Sequence, residues 1–174
     1  LRRIMKLHLG AGNVRINGYT NVDMIPSPAV DVISDARFLS GVKPNSVEVI
    51  YACNLLEHFK RLEYMFVLYR WHEILKPGGI LRLSVPDFEA LCEYYMKTKD
   101  LNGLYAPLFS CQEKLNSFHY WAWDFETLKH DLTKIGFKDI RRYDFRETEH
   151  ARVRDWSMNY LPRYDKSGKI LPDE

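Results

Sequence analysis

Short apolar runs alternate with turns through most of the chain, in a pattern that predicts buried strands. The first run ends at the turn Gly10-Ala11-Gly12, and the second ends in the carboxylate of Asp23. Runs of this length, bounded by glycine and polar residues, are typical of strands in an α/β sheet. The predicted strands are residues 6–9, 19–23, 30–33, 47–53, 80–85, 137–145 and 153–160.

Three longer stretches have apolar residues at helical spacing and recognisable ends. The predicted helices are residues 61–75, 88–97 and 125–134. Asp87 and Asp124 directly precede the second and third helices, where a carboxylate can accept hydrogen bonds from free backbone N–H groups. Gly136 is placed to end the third helix, and the Pro77-Gly78-Gly79 sequence is placed to end the first.

The segments between the first three strands are too short for crossover helices. A parallel crossover needs about a dozen residues, whereas residues 13–18 and 24–29 are the only links, and Pro26 and Pro28 interrupt the second. We therefore expect these helices to be reduced to loops, which leaves one sheet face without its usual cover. The aromatic stretch 109–123, a tail at about residues 161–174, or a second copy of the chain would cover it, and we favour a homodimer.

Length and charge predict one domain over residues 1–174 and exclude two classes of partner. The formal net charge is +2, from 25 basic and 23 acidic side chains, so no nucleic-acid partner is expected. No apolar run approaches the about 18 residues of a membrane span. Cys53, Cys92 and Cys111 are odd in number and form no C-x-x-C pair, which favours free thiols in the reducing cytoplasm.

The glycine turn and the acid after the second strand predict a nucleoside site. Glycine at Gly10 and Gly12 permits positive φ and a close approach of ligand to backbone, and Asp23 can accept two hydrogen bonds from a ribose diol. The alternative is a turn that merely ends a strand. A dinucleotide site is disfavoured because Arg15 replaces the third glycine and the acid comes too early.

Five short motifs in order carry a family resemblance over roughly residues 5–145. They are LGAGN at 9–13, NVD at 21–23, SDA at 34–36, NLLEHF at 54–59 and LKPGGILRLSVPD at 75–87. With them the chain resembles the class I S-adenosylmethionine-dependent methyltransferases, in the small type-11-like branch. The resemblance implies a Rossmann-like three-layer α/β fold with a mostly parallel seven-stranded sheet, here with the early helices reduced to loops.

The resemblance also implies S-adenosylmethionine as the cofactor and assigns residues to it. The implied cofactor-binding residues are Leu9, Gly10, Ala11, Gly12, Asn13, Asp23, Met24, Asp35, Ala36, Asn54 and Leu55. Asp23 would bind the ribose hydroxyls and Met24 would lie against the adenine. Asp35 would accept from the adenine amino group, with the Ala36 N–H nearby, or would only cap a turn. Asn54 would line the methionine end, or would only bond its own backbone.

His58 and His119 are the candidate catalytic bases. His58 follows the fourth strand, where an acceptor should bind, although a Glu-His pair there also has structural roles. His119 lies in the aromatic segment 118–123, which either stacks on a sugar or ring or packs the bare sheet face. A metal site built from His58, His119 and His150 is not expected, because no pair of histidines has i, i+4 spacing.

Together these features predict methyl transfer to a small-molecule or glycan-like acceptor, at oxygen or nitrogen. One alternative is a cofactor-binding or regulatory module without catalysis, since an intact cradle does not by itself imply turnover. The second is a nicotinamide-dependent oxidoreductase, which Arg15 and the early Asp23 disfavour.

Overall fold

A parallel sheet forms the centre of the protein. The computed structural model describes residues 5–113 and 117–155, and within them the sheet has five strands in the order β3-β2-β1-β4-β5. All four neighbouring pairs are parallel. The strands are β1 Lys6–Leu9, β2 Thr20–Asp23, β3 Val32–Ile33, β4 Val47–Cys53 and β5 Leu75–Ser84. The strand order reverses between β1 and β4, and crevices at such a point bind ligands in open α/β sheets.

Within the described residues four α-helices follow β4, and the predicted signals hold for the start of α2 and both ends of α4. The prediction that Pro77-Gly78-Gly79 ends the first helix is wrong, because α1 ends at Ile74 and these three residues lie in β5. They are α1 Tyr64–Ile74, α2 Phe88–Thr98, α3 Asn102–Phe109 and α4 Phe125–Ile135. Asp124 accepts a hydrogen bond from the Thr127 N–H at 2.7 Å, and Asp87 accepts one from Glu89 N at 3.2 Å. Gly136 ends α4 with φ of 115°. The pattern did not predict α3, which contains Pro107.

The early crossovers are loops, as predicted, and a buried side chain anchors them. Residues 10–19 and 24–31 contain no helix. Asn21 is fully buried; its Oδ1 accepts from Ile16 N at 2.9 Å, and its Nδ2 donates to Asp31 Oδ2 at 2.9 Å. The Asn21 amide thereby bonds a backbone N–H of the first loop and a carboxylate of the second. In a helix that backbone N–H would have been satisfied by a carbonyl of the helix itself.

Helices α1 and α4 cover one face of the sheet. Leu7 and Leu9 of β1 point to this face and pack in one apolar cluster with Trp71 and Ile74 of α1. Trp123 belongs to the same cluster and packs edge-to-face on Tyr64. The aromatic stretch therefore packs on the face that helices already cover, and not on the face left bare by the short loops.

Residues 143–155, here called the covering segment, lie on the second face. Tyr51 of β4 is fully buried, stacks against His150 with ring centroids 4.0 Å apart, and donates to Asp155 at 2.5 Å. Val153 packs on a second apolar cluster, which contains Tyr51 and is distinct from the cluster of the first face. Within the described residues this cover contains a 3-10 turn at Phe145–Glu147 and no α-helix, so the three-layer part of the prediction is not confirmed here. The structure does not test the expected homodimer, but the bare face that argued for it is covered at its centre by the same chain. Residues 161–174 lie outside the described residues.

The seven-stranded prediction is not confirmed: residues 5–113 and 117–155 contain five strands. Residues 137–145 form no strand, because Asp139 takes φ of 54° and Arg142 is drawn to Asp87 at 2.7 Å. A groove of about 1310 Å³ lies between this segment and the edge of β5. Residues 153–155 are not a strand either, and residues 156–160 lie outside the described part.

Candidate functional site

The glycine turn after β1 brings the backbone close to the end of β4. Gly10 and Gly12 have φ of 70° and 52°, values that side-chain-bearing residues rarely adopt. A Cβ on Gly10 would lie 3.0 Å from Cδ1 of Leu55, whereas a Cβ on Gly12 would meet nothing within 4 Å. The turn is therefore packed on its Gly10 side and open on its Gly12 side, as a cradle for a ligand requires.

Asp23, at the end of β2, is tied directly to this turn. Its Oδ2 accepts the Gly12 N–H at 2.8 Å, and its Oδ1 accepts the Ile25 N–H at 2.8 Å. Each carboxylate oxygen can accept a further hydrogen bond, and the residue is only partly buried. The adjoining Met24 is 48% exposed. Asp23 thus keeps the acceptor capacity predicted for a diol and also holds the glycine turn in place.

Asp35, after β3, is engaged by a residue that the sequence did not single out. Arg37 donates to Oδ2 of Asp35 from Nε at 2.9 Å and from a terminal nitrogen at 2.7 Å. Oδ1 of Asp35 accepts from the same Nε at 3.1 Å and from the Arg37 backbone N–H at 2.9 Å. Burial opposes ionisation, but these hydrogen bonds hold the pKa of Asp35 below its usual range. Asp35 therefore caps the turn that follows β3, which is the alternative given for it above. The carbonyl of the next residue, Ala36, accepts a hydrogen bond from the Trp71 ring nitrogen at 2.9 Å.

Asn54 supplies an unpaired donor at the end of β4. Its backbone adopts φ of 48°, and its N–H bonds the Ser84 carbonyl at 2.8 Å. Its side-chain Nδ2 is buried and has no hydrogen-bond partner among residues 5–113 and 117–155. A buried amide donor without a partner costs about 1–3 kcal/mol, so its presence beside the glycine turn fits a site that receives an anionic or carbonyl group from a ligand.

The 3-10 turn Leu56–His58 follows directly and brings both candidate bases together with Glu57. The rings of His58 and His119 lie 4.7 Å apart between centroids. Nε2 of His119 is 3.9 Å from Oε1 of Glu57. Glu57 is fully buried, and in the part of the chain that the structure describes no other residue hydrogen-bonds its carboxylate oxygens. We call these three residues the Glu-His-His cluster.

Burial disfavours the charged form of each residue in the cluster and shifts its pKa accordingly. Burial raises the pKa of Glu57 to about 8. Burial is the main cause that lowers the pKa of His58 to about 4, and the neighbouring His119 adds to it. Hydrogen bonds to the carbonyls of Phe118 and Asn54 act in the opposite direction and raise this pKa. The pKa of His119 is also lowered by burial. Both imidazoles are therefore neutral at neutral pH and weakly basic.

The structure separates His150 from this cluster and adds Glu57 to it. His150 packs against Tyr51 on the second sheet face. From the sequence, Glu57 is only the residue before His58 and has no predicted role in the site. His119, which lies beside it in the fold, is 62 positions further along the chain. The only local signal was an acid directly before a histidine after a strand, which has structural meanings as well.

Comparisons with known proteins place the fold. No protein-family model matches the chain, and no curated protein matches its sequence. A S-adenosylmethionine-dependent methyltransferase from Archaeoglobus fulgidus superposes with TM-score 0.53 and 16% identity, over 79% of this chain and 63% of that one. The complex of the Trm112 methyltransferase activator of Haloferax volcanii with a protein assigned as a methyltransferase gives TM-score 0.51 and 13% identity, over 78% and 62%.

The chain therefore has the fold of S-adenosylmethionine-dependent methyltransferases and spans about 63% of the length of the first of these structures. Within residues 5–113 and 117–155, no helix combines the length and apolar composition that a membrane span requires.

Proposed function

We propose that this chain transfers a methyl group from S-adenosylmethionine to an oxygen or nitrogen of a small-molecule or glycan-like acceptor. The observation that carries the proposal is the Gly10–Gly12 turn, which is hydrogen-bonded to Asp23 where the strand order reverses. This position is where open parallel sheets bind nucleoside ligands. The methyltransferase fold of the solved neighbours supports the same cofactor.

The residues around the turn fit the parts of this cofactor. Asp23 would accept from the ribose hydroxyls, while the open side of Gly12 admits the ligand to the backbone. The buried, unpaired Nδ2 of Asn54 would donate to the carboxylate of the methionine part. Met24 would lie against the adenine, and Asp35 would share its carboxylate between Arg37 and the adenine amino group. The bound cofactor supplies a methyl group on a sulfonium.

The chain's remaining task is to hold the acceptor in line with that methyl group, and positioning alone lowers such a barrier substantially. His58 and His119 would face the acceptor from the turn after β4. Their neutral state lets them accept a proton, but their lowered pKa makes them weak bases. Tyr120 is 46% exposed beside them and offers a ring on which a sugar could stack.

The cysteines support a reducing compartment, and we propose the cytoplasm. Cys53, Cys92 and Cys111 are all free thiols, the first buried and the other two exposed. Exposed thiols of this kind persist unpaired where glutathione and thioredoxin keep them reduced.

Calorimetric titration with S-adenosylmethionine and its demethylated product tests the cofactor assignment, with NAD as the comparison ligand. Asp23→Ala should weaken binding of both sulfur compounds by roughly 5- to 150-fold, because it removes hydrogen bonds worth about 1–3 kcal/mol. Glu126→Ala is the matched control, since its side chain is 78% exposed on α4. Binding of NAD but of neither sulfur compound would refute the assignment.

Incubation with labelled cofactor and a pool of small metabolites and glycans then tests turnover. The expected result is label transferred to an acceptor at a rate that falls in Asp23→Ala together with the affinity. Cofactor binding without transfer to any acceptor would instead identify a non-catalytic binding module.

A further inference from the structure

The Glu-His-His cluster has the donor set of a metal site. One nitrogen or oxygen from each of Glu57, His58 and His119 lies within 4.8 Å of the others. The first two residues belong to the turn after β4, and the third reaches the turn from the aromatic stretch. A backbone hydrogen bond from Tyr120 N to the Glu57 carbonyl, at 2.8 Å, joins these two parts of the chain independently of the three side chains.

Both imidazoles are oriented as metal-binding histidines are. Nδ1 of His58 lies 3.0 Å from the Phe118 carbonyl, and Nδ1 of His119 lies 2.8 Å from the Pro107 carbonyl. Because a carbonyl oxygen can only accept, each ring carries a hydrogen on Nδ1. In neutral His119 the lone pair is therefore on Nε2, the nitrogen that lies 3.9 Å from Glu57. Metal-ligating histidines almost always donate their second ring nitrogen to a carbonyl, carboxylate or water in this way.

Glu57 provides the second, independent indication. Its side chain is 1% exposed, and neither of its oxygens is hydrogen-bonded to another residue of the described ranges. Nε2 of His119 is 3.9 Å from Oε1, too far for a hydrogen bond. Buried carboxylates are normally paired or bound to a metal, and no other described residue pairs this one.

We propose that Glu57, His58 and His119 bind one divalent transition-metal ion of the zinc class. Two imidazoles and one carboxylate suit zinc and neighbouring first-row ions, whereas magnesium and calcium prefer oxygen ligands throughout. Ligands at zinc bond lengths stand roughly 3.3–3.6 Å apart. The His119–Glu57 distance of 3.9 Å exceeds this range by a few tenths of an ångström. The three donor atoms lie within 4.8 Å of one another, so binding requires the widest pair to close by about 1.5 Å at most.

Three protein ligands leave at least one coordination position for water or for an acceptor. An ion at this place would lower the pKa of a bound acceptor hydroxyl, in the manner of a metal-bound water. It would thus make the acceptor oxygen a better nucleophile for the methyl group. This role rests on the proposed methyl transfer, whereas binding of the ion does not.

The test uses the full chain after removal of metals by a chelator. Titration with Co²⁺, followed by its visible absorption, should show saturable bands that reach their end point near one ion per chain, and Zn²⁺ should abolish them. Mg²⁺ and Ca²⁺ at the same concentration should leave the bands unchanged. Glu57→Gln keeps the shape of the side chain and should weaken Co²⁺ binding by more than about 100-fold, beyond the loss that outer-shell changes cause.

His130→Ala is the matched control, because His130 is exposed on α4 away from the cluster. It should bind Co²⁺ as the wild type does, and thermal unfolding should confirm that both variants fold. Co²⁺ binding that is absent from the wild type, or equal in the wild type and Glu57→Gln, overturns the proposal; displacement by Mg²⁺ overturns the assigned metal class. Cofactor titration on the same samples separates this failure from a failure of the proposed methyl transfer.

Discussion

At the residue scale, the glycine turn after β1 depends on the lack of a side chain at Gly10 as much as on the carboxylate of Asp23. Gly10 is packed against Leu55, so the turn and the end of β4 approach more closely than any larger residue would allow. Asp23 then fixes the other half of the turn through Gly12. The sequence predicted the positive φ of Gly10 and Gly12, but it predicted neither the packing of Gly10 on Leu55 nor the hydrogen bond from Gly12 to Asp23.

Gly10→Ala should lower the free energy of unfolding more than Gly18→Ala. Both positions have positive φ, 70° and 84°, at which alanine costs about 1 kcal/mol or more. Only at Gly10 does the added methyl group meet a neighbour, Leu55, so that variant carries a further packing cost of about 1–3 kcal/mol. Urea unfolding measures the difference.

The double variant Gly10→Ala/Leu55→Ala is the control for that packing cost. Removing the Leu55 side chain should make the two substitutions less than additive, as expected for residues in contact. Equal losses in Gly10→Ala and Gly18→Ala would show that the close approach does not matter.

Other site residues could not be predicted from local pattern. Arg37 engages Asp35 from two positions away, a contact that many turns could make without a functional meaning. Glu57 and His119 meet only because the aromatic stretch folds back over the turn after β4. We therefore expected no metal site, and the donor set became visible only when the fold brought these distant residues together.

At the element scale, helix ends were predictable because their signals are local. Asp124 and Gly136 bound α4 as the sequence indicated, and Asp87 caps α2. Strand formation needs a partner as well as a suitable sequence. Residues 137–145 have strand-like composition, but Arg142 binds Asp87 instead, and the edge of β5 faces a groove.

Asp124→Ala should reduce the free energy of unfolding by about 1 kcal/mol, because it removes the hydrogen bond to the Thr127 N–H at the start of α4. Asp124→Ser should retain most of the stability, since a serine hydroxyl accepts the same bond. Thermal or urea unfolding of the two variants compares them. Identical losses would mean that the cap contributes nothing to the stability of α4.

At the scale of the whole molecule, the covering segment replaces the partner that we expected for the second sheet face. Tyr51 is buried by His150 and Asp155 of the same chain. We therefore expect sedimentation at micromolar concentration to show a monomer. A dimer that dissociates when Tyr51 contacts are altered, as in Tyr51→Ala, would restore the argument for pairing through this face.

One carboxylate joins the covering segment to three parts of the sheet. Glu149 accepts from Lys6 at 2.8 Å, from Tyr19 at 2.8 Å and from Arg82 at 2.6 Å. Burial opposes its ionisation, but these hydrogen bonds hold the pKa of Glu149 well below its ordinary value. Its side chain is 37% exposed, so solvent screens the network in part.

Acid should weaken the molecule through Glu149. Because its pKa is lower in the folded than in the unfolded chain, the stabilisation that Glu149 provides is complete above the ordinary glutamate range, about pH 4.5. It is lost as the pH falls through the folded value.

Glu149→Gln should thus lower the free energy of unfolding by about 1–2 kcal/mol at neutral pH. The gap between the free energies of unfolding of the variant and the wild type should narrow by about pH 3. Burial lowers the pKa of His8, which weakens both proteins alike once the pH falls below about 6.5. Burial also lowers the pKa of His150, but the charge of Glu149 opposes that shift, so protonation of His150 weakens Glu149→Gln more than the wild type. Urea unfolding across this range, with the exposed Glu126→Gln as control, decides the matter; a gap that stays constant down to about pH 3 would show that the Glu149 network does not hold the cover to the sheet.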